Sequence, residues 1–341
     1  MKKLSLAVAV TAALGASSAN AAVVTEFSNG VLVPHVLYSD GSGSLPATST
    51  AVGLTSCAGG DVYWTFFDAN SKHIIDSQFP VTADDQTPFG WGSTIGADIG
   101  QTFDGNNFET FEVLGYLTFV LDTNSNAALD TSDQPCLAGA AFQLFPSDDE
   151  VAFIPAPPLQ ASNPTNLHDS QGNVIDTLDG DFGDAAANVY VPRLDALPDD
   201  TAIRALAAGA NAVDVNYLRY FIDGATTDIV IWSAPSVDGR WTVNAYNDNQ
   251  DRFSVTLDLP NDELNVISLP GDLSMPNGFV DGFIKWDLSS PQYLGRAGSE
   301  DGVLTFSIIN APALGATQTI VNPIRKRDNL GRDQQRVEAL R

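Results

Sequence analysis

Positive charge is scarce in this sequence. Its 341 residues hold 16 Lys and Arg against 42 Asp and Glu, a formal net charge of −26. Such a chain repels phosphate and cannot assemble an extended basic patch, which excludes ordinary nucleic-acid binding. Histidine is almost missing. His35, His73 and His168 stand apart with no H-E-x-x-H spacing, so zinc hydrolysis has no support. The G-x-S-x-G nucleophile turn is absent too. Its nearest approach, Gly298-Ser299-Glu300-Asp301-Gly302, sets Ser directly beside Gly. There is no Asp-Thr-Gly or Asp-Ser-Gly pair, no GxGxxG and no P-loop. A glycosidase needs only two placed carboxylates, and that chemistry stays open in so acidic a chain. What is present is core material: apolar residues make up 44%, with 18 Phe, 8 Tyr and 5 Trp, which excludes disorder for the chain as a whole.

Long apolar runs are lacking except at the start. Met1-Lys2-Lys3 precedes an apolar run from Leu4 to Leu14, and Ala19-Asn20-Ala21 fits a small-x-small cleavage site. This predicts a secretory signal peptide over residues 1–21, of bacterial type. The run is shorter than the ~20 residues that span a bilayer, and no later stretch reaches that length. No Cys follows the cleavage point, which argues against a lipid anchor. The strands look too short and irregular for an outer-membrane barrel. The expected product is secreted, extracellular or at the cell surface, with the periplasm as alternative. Removing Lys2 and Lys3 leaves 14 bases against 42 acids, a net of −28. The bases are segregated. Lys72 stands alone between Ala22 and Pro192, whereas Arg325, Lys326, Arg327, Arg332, Arg336 and Arg341 crowd the end. The acidity reads as solubility in salt or as a store of carboxylates for divalent cations. The tail reads as a solvated terminus or as a segment that docks on an acidic neighbour, including another copy.

Only two cysteines occur, Cys57 and Cys136. In an oxidising compartment they predict one disulfide. It would close a loop of about 80 residues and contribute up to ~4–5 kcal/mol on the chain-entropy model.

Strand patterns dominate. Phe253, Val255, Leu257 and Leu259 alternate with polar residues, as do Val280, Gly282, Ile284, Trp286 and Leu288. Val62–Phe67, Val113–Leu121, Ile229–Trp232 and Val303–Ile309 are continuous apolar runs of strand length. Asp40-Gly41-Ser42-Gly43, Asp104-Gly105-Asn106-Asn107, Asp238-Gly239 and Asn277-Gly278 supply turns. Helix signals are confined to Ala202–Ala208 and the last eleven residues. An internal echo relates Thr50–Ser56 and Val62–His73 to Asp228–Ala234 and Trp241–Arg252, with Phe67 matching Tyr246 and Asn70 matching Asn249 after one gap. The prediction is an all-β chain: two β-sandwich (Ig-like) domains in tandem with a short basic C-terminal tail. Domain limits are set at 22–155 and 188–312. A Pro/Asp-rich linker at 156–187 separates them, and the tail begins at 313. Pro155-Ala156-Pro157-Pro158 marks the join, because Pro lacks a backbone donor.

The strongest constellation is Asp122-Thr123-Asn124-Ser125-Asn126-Ala127-Ala128-Leu129-Asp130-Thr131-Ser132-Asp133. Oxygen side chains fall at positions one, three, five, nine and twelve, which is the spacing that wraps one chain around a hard cation. Asp122, Asn124, Asn126, Asp130 and Asp133 are the candidate calcium ligands, with the backbone carbonyl of Ala128 at position seven. With Asp at twelve, the segment resembles the loops of dockerin modules and of calcium-stabilised extracellular proteins. The resemblance covers twelve residues and implies no dockerin function. Ala127 replaces the usual Gly at six, and the flank Tyr116–Leu121 reads as a strand, so a calcium loop hung on a strand is expected. Extracellular modules of this kind work at ~10⁻⁴–10⁻³ M calcium. The alternative is an ordinary polar loop.

Weaker signals complete the reading. Asp176, Asp179, Asp181 and Asp184 offer a second cation site on weaker, irregular spacing, and Asp248, Asn249 and Asp251 read as turn residues, as does His73. Trp64, Trp232, Trp241 and Trp286 lie in strand runs and read as core. Trp91, within Phe89-Gly90-Trp91-Gly92-Ser93, reads as a ligand-stacking aromatic or as a lid on its own core. Ser236-Val237-Asp238-Gly239-Arg240-Trp241 lacks one residue of the Asp-box of sialidase-like hairpins and reads as a turn. Together these features imply an exported, non-catalytic structural, adhesion or assembly protein, calcium-stabilised, whose partners are further copies or other surface components. The alternative is a secreted carbohydrate-binding module or polysaccharide hydrolase.

Overall fold

Alternating and continuous apolar runs end up in different layers. The computed structural model describes residues 27–39, 41, 47–70, 73–90, 112–125, 133–146, 150–159, 215–233, 237–261, 263–287 and 303–325. Nine strands come from the first half: β1 (Gly30–Ser39), β2 (Ser49–Ser56), β3 (Gly60–Asp68), β4 (His73–Val81), β5 (Asp85–Gly90), β6 (Glu112–Asp122), β7 (Leu137–Phe145), β8 (Glu150–Ile154) and β9 (Pro158–Leu159). Nine more follow: β10 (Val215–Phe221), β11 (Thr226–Ser233), β12 (Gly239–Asn247), β13 (Arg252–Leu259), β14 (Leu264–Leu269), β15 (Asp281–Asp287), β16 (Val303–Ala311), β17 (Ala316–Val321) and β18 (Ile324–Arg325). Among the described residues, helical structure is limited to one 3₁₀ turn, Pro312–Leu314. The expected all-β sandwich architecture is present.

The strands form four antiparallel sheets, with orders β5-β2-β7-β8, β4-β3-β6-β1-β9, β14-β11-β16-β17 and β13-β12-β15-β10-β18. The last two orders are the first two with nine added to every strand number. We call them, in stacking order, the first outer, first inner, second inner and second outer sheets. Alternating strands build the outer sheets: β2 and β15 alternate buried with partly exposed positions along their whole length, and β13 alternates buried with exposed positions from Ser254 onward. Continuous apolar runs build the inner ones, where β1 and β16 are buried at nearly every position.

Detail within the strands repeats as well. The hydroxyl of Thr50 accepts the Leu37 N–H (3.0 Å) and donates to its carbonyl (3.2 Å), and Thr227 does the same to Phe221 (3.0 and 2.7 Å). Asp68 accepts the N–H of Asn70 (2.8 Å), as Asn247 accepts that of Asn249 (3.1 Å). Both pairs lie 179 residues apart, the spacing at which the sequence echo matches Asn70 with Asn249. At β2 the match slips by one residue, Thr50 to Thr227 in place of Asp228. Gly115 and Gly282 are a third pair. A Cβ would stand 2.1 Å from the Phe67 carbonyl oxygen at the first and 1.8 Å from that of Tyr246 at the second. No side chain fits where adjacent strands approach this closely.

One core lies between the first outer and first inner sheets, where Phe89 touches Trp64 (5.2 Å between centroids) and Phe119 (5.1 Å). Another lies between the second pair, around Trp241 and Trp286 (5.4 Å, perpendicular). The two inner sheets also pack on each other. Tyr116 meets Trp232 at 5.8 Å, His35 meets Phe306 at 6.4 Å, and the Ala69 carbonyl accepts the N–H of Leu264 at 3.0 Å. Val230, Trp232, Leu264, Leu304, Phe306 and Ile308 therefore join the hydrophobic cluster of the first half. Each side chain so buried contributes roughly 1.5–3 kcal/mol.

Some elements depart from expectation. Pairing continues past residue 155: Pro158 sits opposite Val31, and the Pro157 carbonyl accepts the Leu32 N–H at 2.9 Å. Proline is tolerated there because β9 is an edge strand. Pairing also continues past 312 through β17 and β18. His73 opens β4 and is not a turn residue. Phe253 and Val280, read as core-facing, are exposed because they lie at strand ends. The four strand tryptophans are buried as expected. The expected signal peptide, Ala202–Ala208, the C-terminal helix and the Asp176–Asp184 cluster lie outside the described residues.

Candidate functional site

The acidic segment begins where β6 ends. Asp122 is the last residue of that strand and is fully buried, and its Oδ1 accepts the N–H of Asn124 at 3.1 Å. Ser125 then takes a positive φ of 52°. Asp133 is buried too. Its Oδ1 accepts the backbone N–H of Thr123 (2.8 Å) and the Thr123 hydroxyl (3.0 Å), while the hydroxyl oxygen accepts the Gln134 N–H (3.0 Å). The twelfth position is thereby folded back on the second. Asn126, Ala128 and Asp130 lie outside the described residues. Asp61 of β3 stands opposite Asp122 in the ladder, a ligand type that the linear spacing could not reveal. Like charges facing across a ladder repel, and a cation between them removes that penalty. Asp61, Asp122, Asn124 and Asp133 carry side-chain oxygens in this part of the chain. No three His, Cys, Asp or Glu side chains converge on one point among the described residues.

The base of the segment is held from both sides. The sulfurs of Cys57 and Cys136 lie 2.08 Å apart, as the sequence predicts, and the Cys57 N–H donates to the Cys136 carbonyl at 2.9 Å. At Gly60, a Cβ would fall 2.1 Å from the Asp122 carbonyl oxygen, so the start of β3 presses directly on the end of β6.

Two broad surfaces were not foreseen. The solvent face of the first outer sheet presents Ala51 and Gly53 of β2, Ala138, Ala140, Phe142 and Leu144 of β7, and Val151 and Phe153 of β8. Phe142 and Phe153 meet edge to face at 6.1 Å, and Phe142 and Val151 are 38% and 52% exposed. Among the described residues of that face there is no charged side chain. The solvent face of the second outer sheet is different. Tyr217, Phe283 and Tyr246 form a row, with contacts at 5.4 Å (edge to face) and 5.1 Å (stacked at 21°). Arg219 pairs with Asp281 and also donates to the carbonyl of Gly282 at 2.6 Å. Trp91, the aromatic singled out from sequence, lies outside the described residues.

Three ionisable groups are perturbed, and each is buried or half-buried on the inward side of its strand or between sheets. Burial between the inner sheets lowers His35 to about 4, and its Nδ1 has no hydrogen-bond partner. Burial, then the nearby Asp281 charge, raises Tyr220 to about 12 while its hydroxyl donates to the Tyr246 carbonyl at 3.1 Å. Asp228 is pushed upward by burial, partly offset by a 2.7 Å hydrogen bond from Ser268. These three groups are in separate places and form no acid–base pair. The sequence matches no family model and no curated protein.

Proposed function

We propose that this is an exported, non-catalytic structural or assembly protein of the bacterial surface or its surroundings. In this reading its two halves are tandem Ig-like sandwiches, and calcium bound at the 122–133 segment steadies the end of the first. One observation carries it: in a chain with a net charge of −26, the sheet face around Ala140 and Phe142 has no charged side chain among the described residues. Exposed apolar faces of this kind mark association surfaces. The paired cysteines fit an oxidising compartment. The partners are further copies or other surface components.

The test is cell fractionation, followed by size-exclusion with light scattering in calcium and in chelator. An exported protein that associates supports the reading, and one retained in the cytoplasm overturns it. Calorimetry checks the ion separately: calcium should bind at sub-millimolar to millimolar levels and raise the melting temperature, and Asp122→Asn should abolish both effects.

The row Tyr217–Phe283–Tyr246 favours a second reading, carbohydrate binding, because flat aromatic rings on a sheet face can stack on sugar rings. Binding of a polysaccharide in affinity electrophoresis, lost in Phe283→Ala, would support it.

A further inference from the structure

We infer that the free face of the second outer sheet docks on the free face of the first outer sheet of another copy, so that copies add head to tail. This deepens the assembly reading above and rests on it. The argument begins inside one chain. Each half has one sheet of the β5-β2-β7-β8 order and one of the β4-β3-β6-β1-β9 order, and the halves stack in the same sense. The junction between the inner sheets therefore joins the second kind of sheet from one half to the first kind from the next. A contact between unlike faces does not close on itself; it leaves one unused face of each kind at the two ends. The exposed outer faces are those two.

The residues that make the internal junction have counterparts at the open end. In the first inner sheet, Phe67 and Tyr116 stack at 5.1 Å and 19°, and Trp232 of the second half closes on Tyr116. Gly115 and Gly282, each against its neighbour's carbonyl, align Tyr116 with Phe283 and Phe67 with Tyr246. Tyr246 and Phe283 stack at 5.1 Å and 21°, the same arrangement on the solvent side. The face it would meet is lined at the matching places by small residues, Gly53 and Ala140, where the internal junction has Val230 and Phe306. A raised aromatic row and a shallow apolar floor are complementary shapes.

Charge selects the same polarity. Residues 22–159 hold 17 Asp and Glu against Lys72 alone. The ladder places Arg219, Arg240, Arg252 and Lys285 on the outer face of the last sheet, against Asp258, Asp281 and Asp287, a local excess of one positive charge. Residues 215–325 as a whole are acidic too, with 13 Asp and Glu against 6 Lys and Arg, so this face is the local exception that favours approach of the acidic first half of another copy, whereas two first halves repel.

The test uses the full chain and two surface variants. Phe142→Asp charges the first face, and Tyr246→Ser with Phe283→Ser strips the second; unchanged circular dichroism and melting temperature establish that each folds. Sedimentation velocity in low salt with calcium should show wild type growing through dimer and larger species as concentration rises, and each variant alone as monomer. An equimolar mixture of the variants retains one intact face of each kind, so it should form dimers and nothing larger. Added salt should shift every association toward monomer. A wild type that stops at a discrete dimer, or a variant mixture that stays monomeric while wild type associates, overturns the head-to-tail inference and leaves the assembly reading standing. A wild type that stays monomeric up to roughly 100 μM overturns the head-to-tail inference and leaves only other surface components as partners for the assembly reading, which fails separately if the protein is retained in the cytoplasm.

Discussion

Acid should weaken the junction between the inner sheets, and His35 should account for a defined share of the loss. The ring packs against Phe306 and is held at about 4, well below its ordinary 6.5, because burial disfavours the cation. Between those values the unfolded chain takes up a proton that the folded chain refuses. Stability from this group is thus complete above about 6.5 and is lost as pH falls toward 4. The whole shift corresponds to ~3 kcal/mol, of which about 2 kcal/mol is spent between pH 7 and pH 5. Urea unfolding, followed by tryptophan fluorescence, measures it. His35→Leu removes the proton site, and His73 and His168 cancel because both proteins carry them. The stability difference between wild type and variant should move by about 2 kcal/mol across that interval, with wild type losing more. A difference constant to about 0.5 kcal/mol would refute a neutral, buried imidazole at this place.

Further outcomes follow from particular contacts. Gly282→Ala forces a Cβ to 1.8 Å from a backbone oxygen and should cost about 3 kcal/mol or more in chemical denaturation, whereas Gly53→Ala, with nothing within 4 Å, should be near neutral. Thiol titration of the unfolded, unreduced chain should find no free thiol, and reduction should lower stability by up to ~4–5 kcal/mol for a bridge spanning 79 residues. The raised carboxyl of Asp228 adds stability when protonated, and that contribution disappears as pH climbs through its folded value. Asp228→Asn, which can still accept from Ser268, should flatten that part of the pH–stability curve; an unchanged slope would count against the assignment.

The layering was legible in outline. Val113–Leu121 and Val303–Ile309 are apolar on both faces because a sheet covers each side, and the alternation of Val255, Leu257 and Leu259 reports a strand with one wet face. The echo between Phe67 and Tyr246 pointed to the repeated strand order. Other features depend on contacts distant in sequence. Thr317-Gln318-Thr319 looks like loop but pairs as the edge strand β17. Asp61 joins the acidic segment only through the ladder between β3 and β6. The apolar solvent face escaped notice because Ala138, Ala140 and Gly53 are small. Their exposure follows from which side the inner sheet occupies, and the linear pattern is the same either way.

Only the first half carries a covalent link, and this gives the molecule two different responses to tension. Cys57 and Cys136 fasten β2 to the entry of β7, so a pull on the chain ends cannot lengthen the segment between them. About 27 nm of contour is thereby withheld, taking roughly 3.4 Å for each of the 79 residue steps. The second half has no such tether and would run out to its full length. Under load, one part of the protein acts as a stop and the other as an extensible reserve.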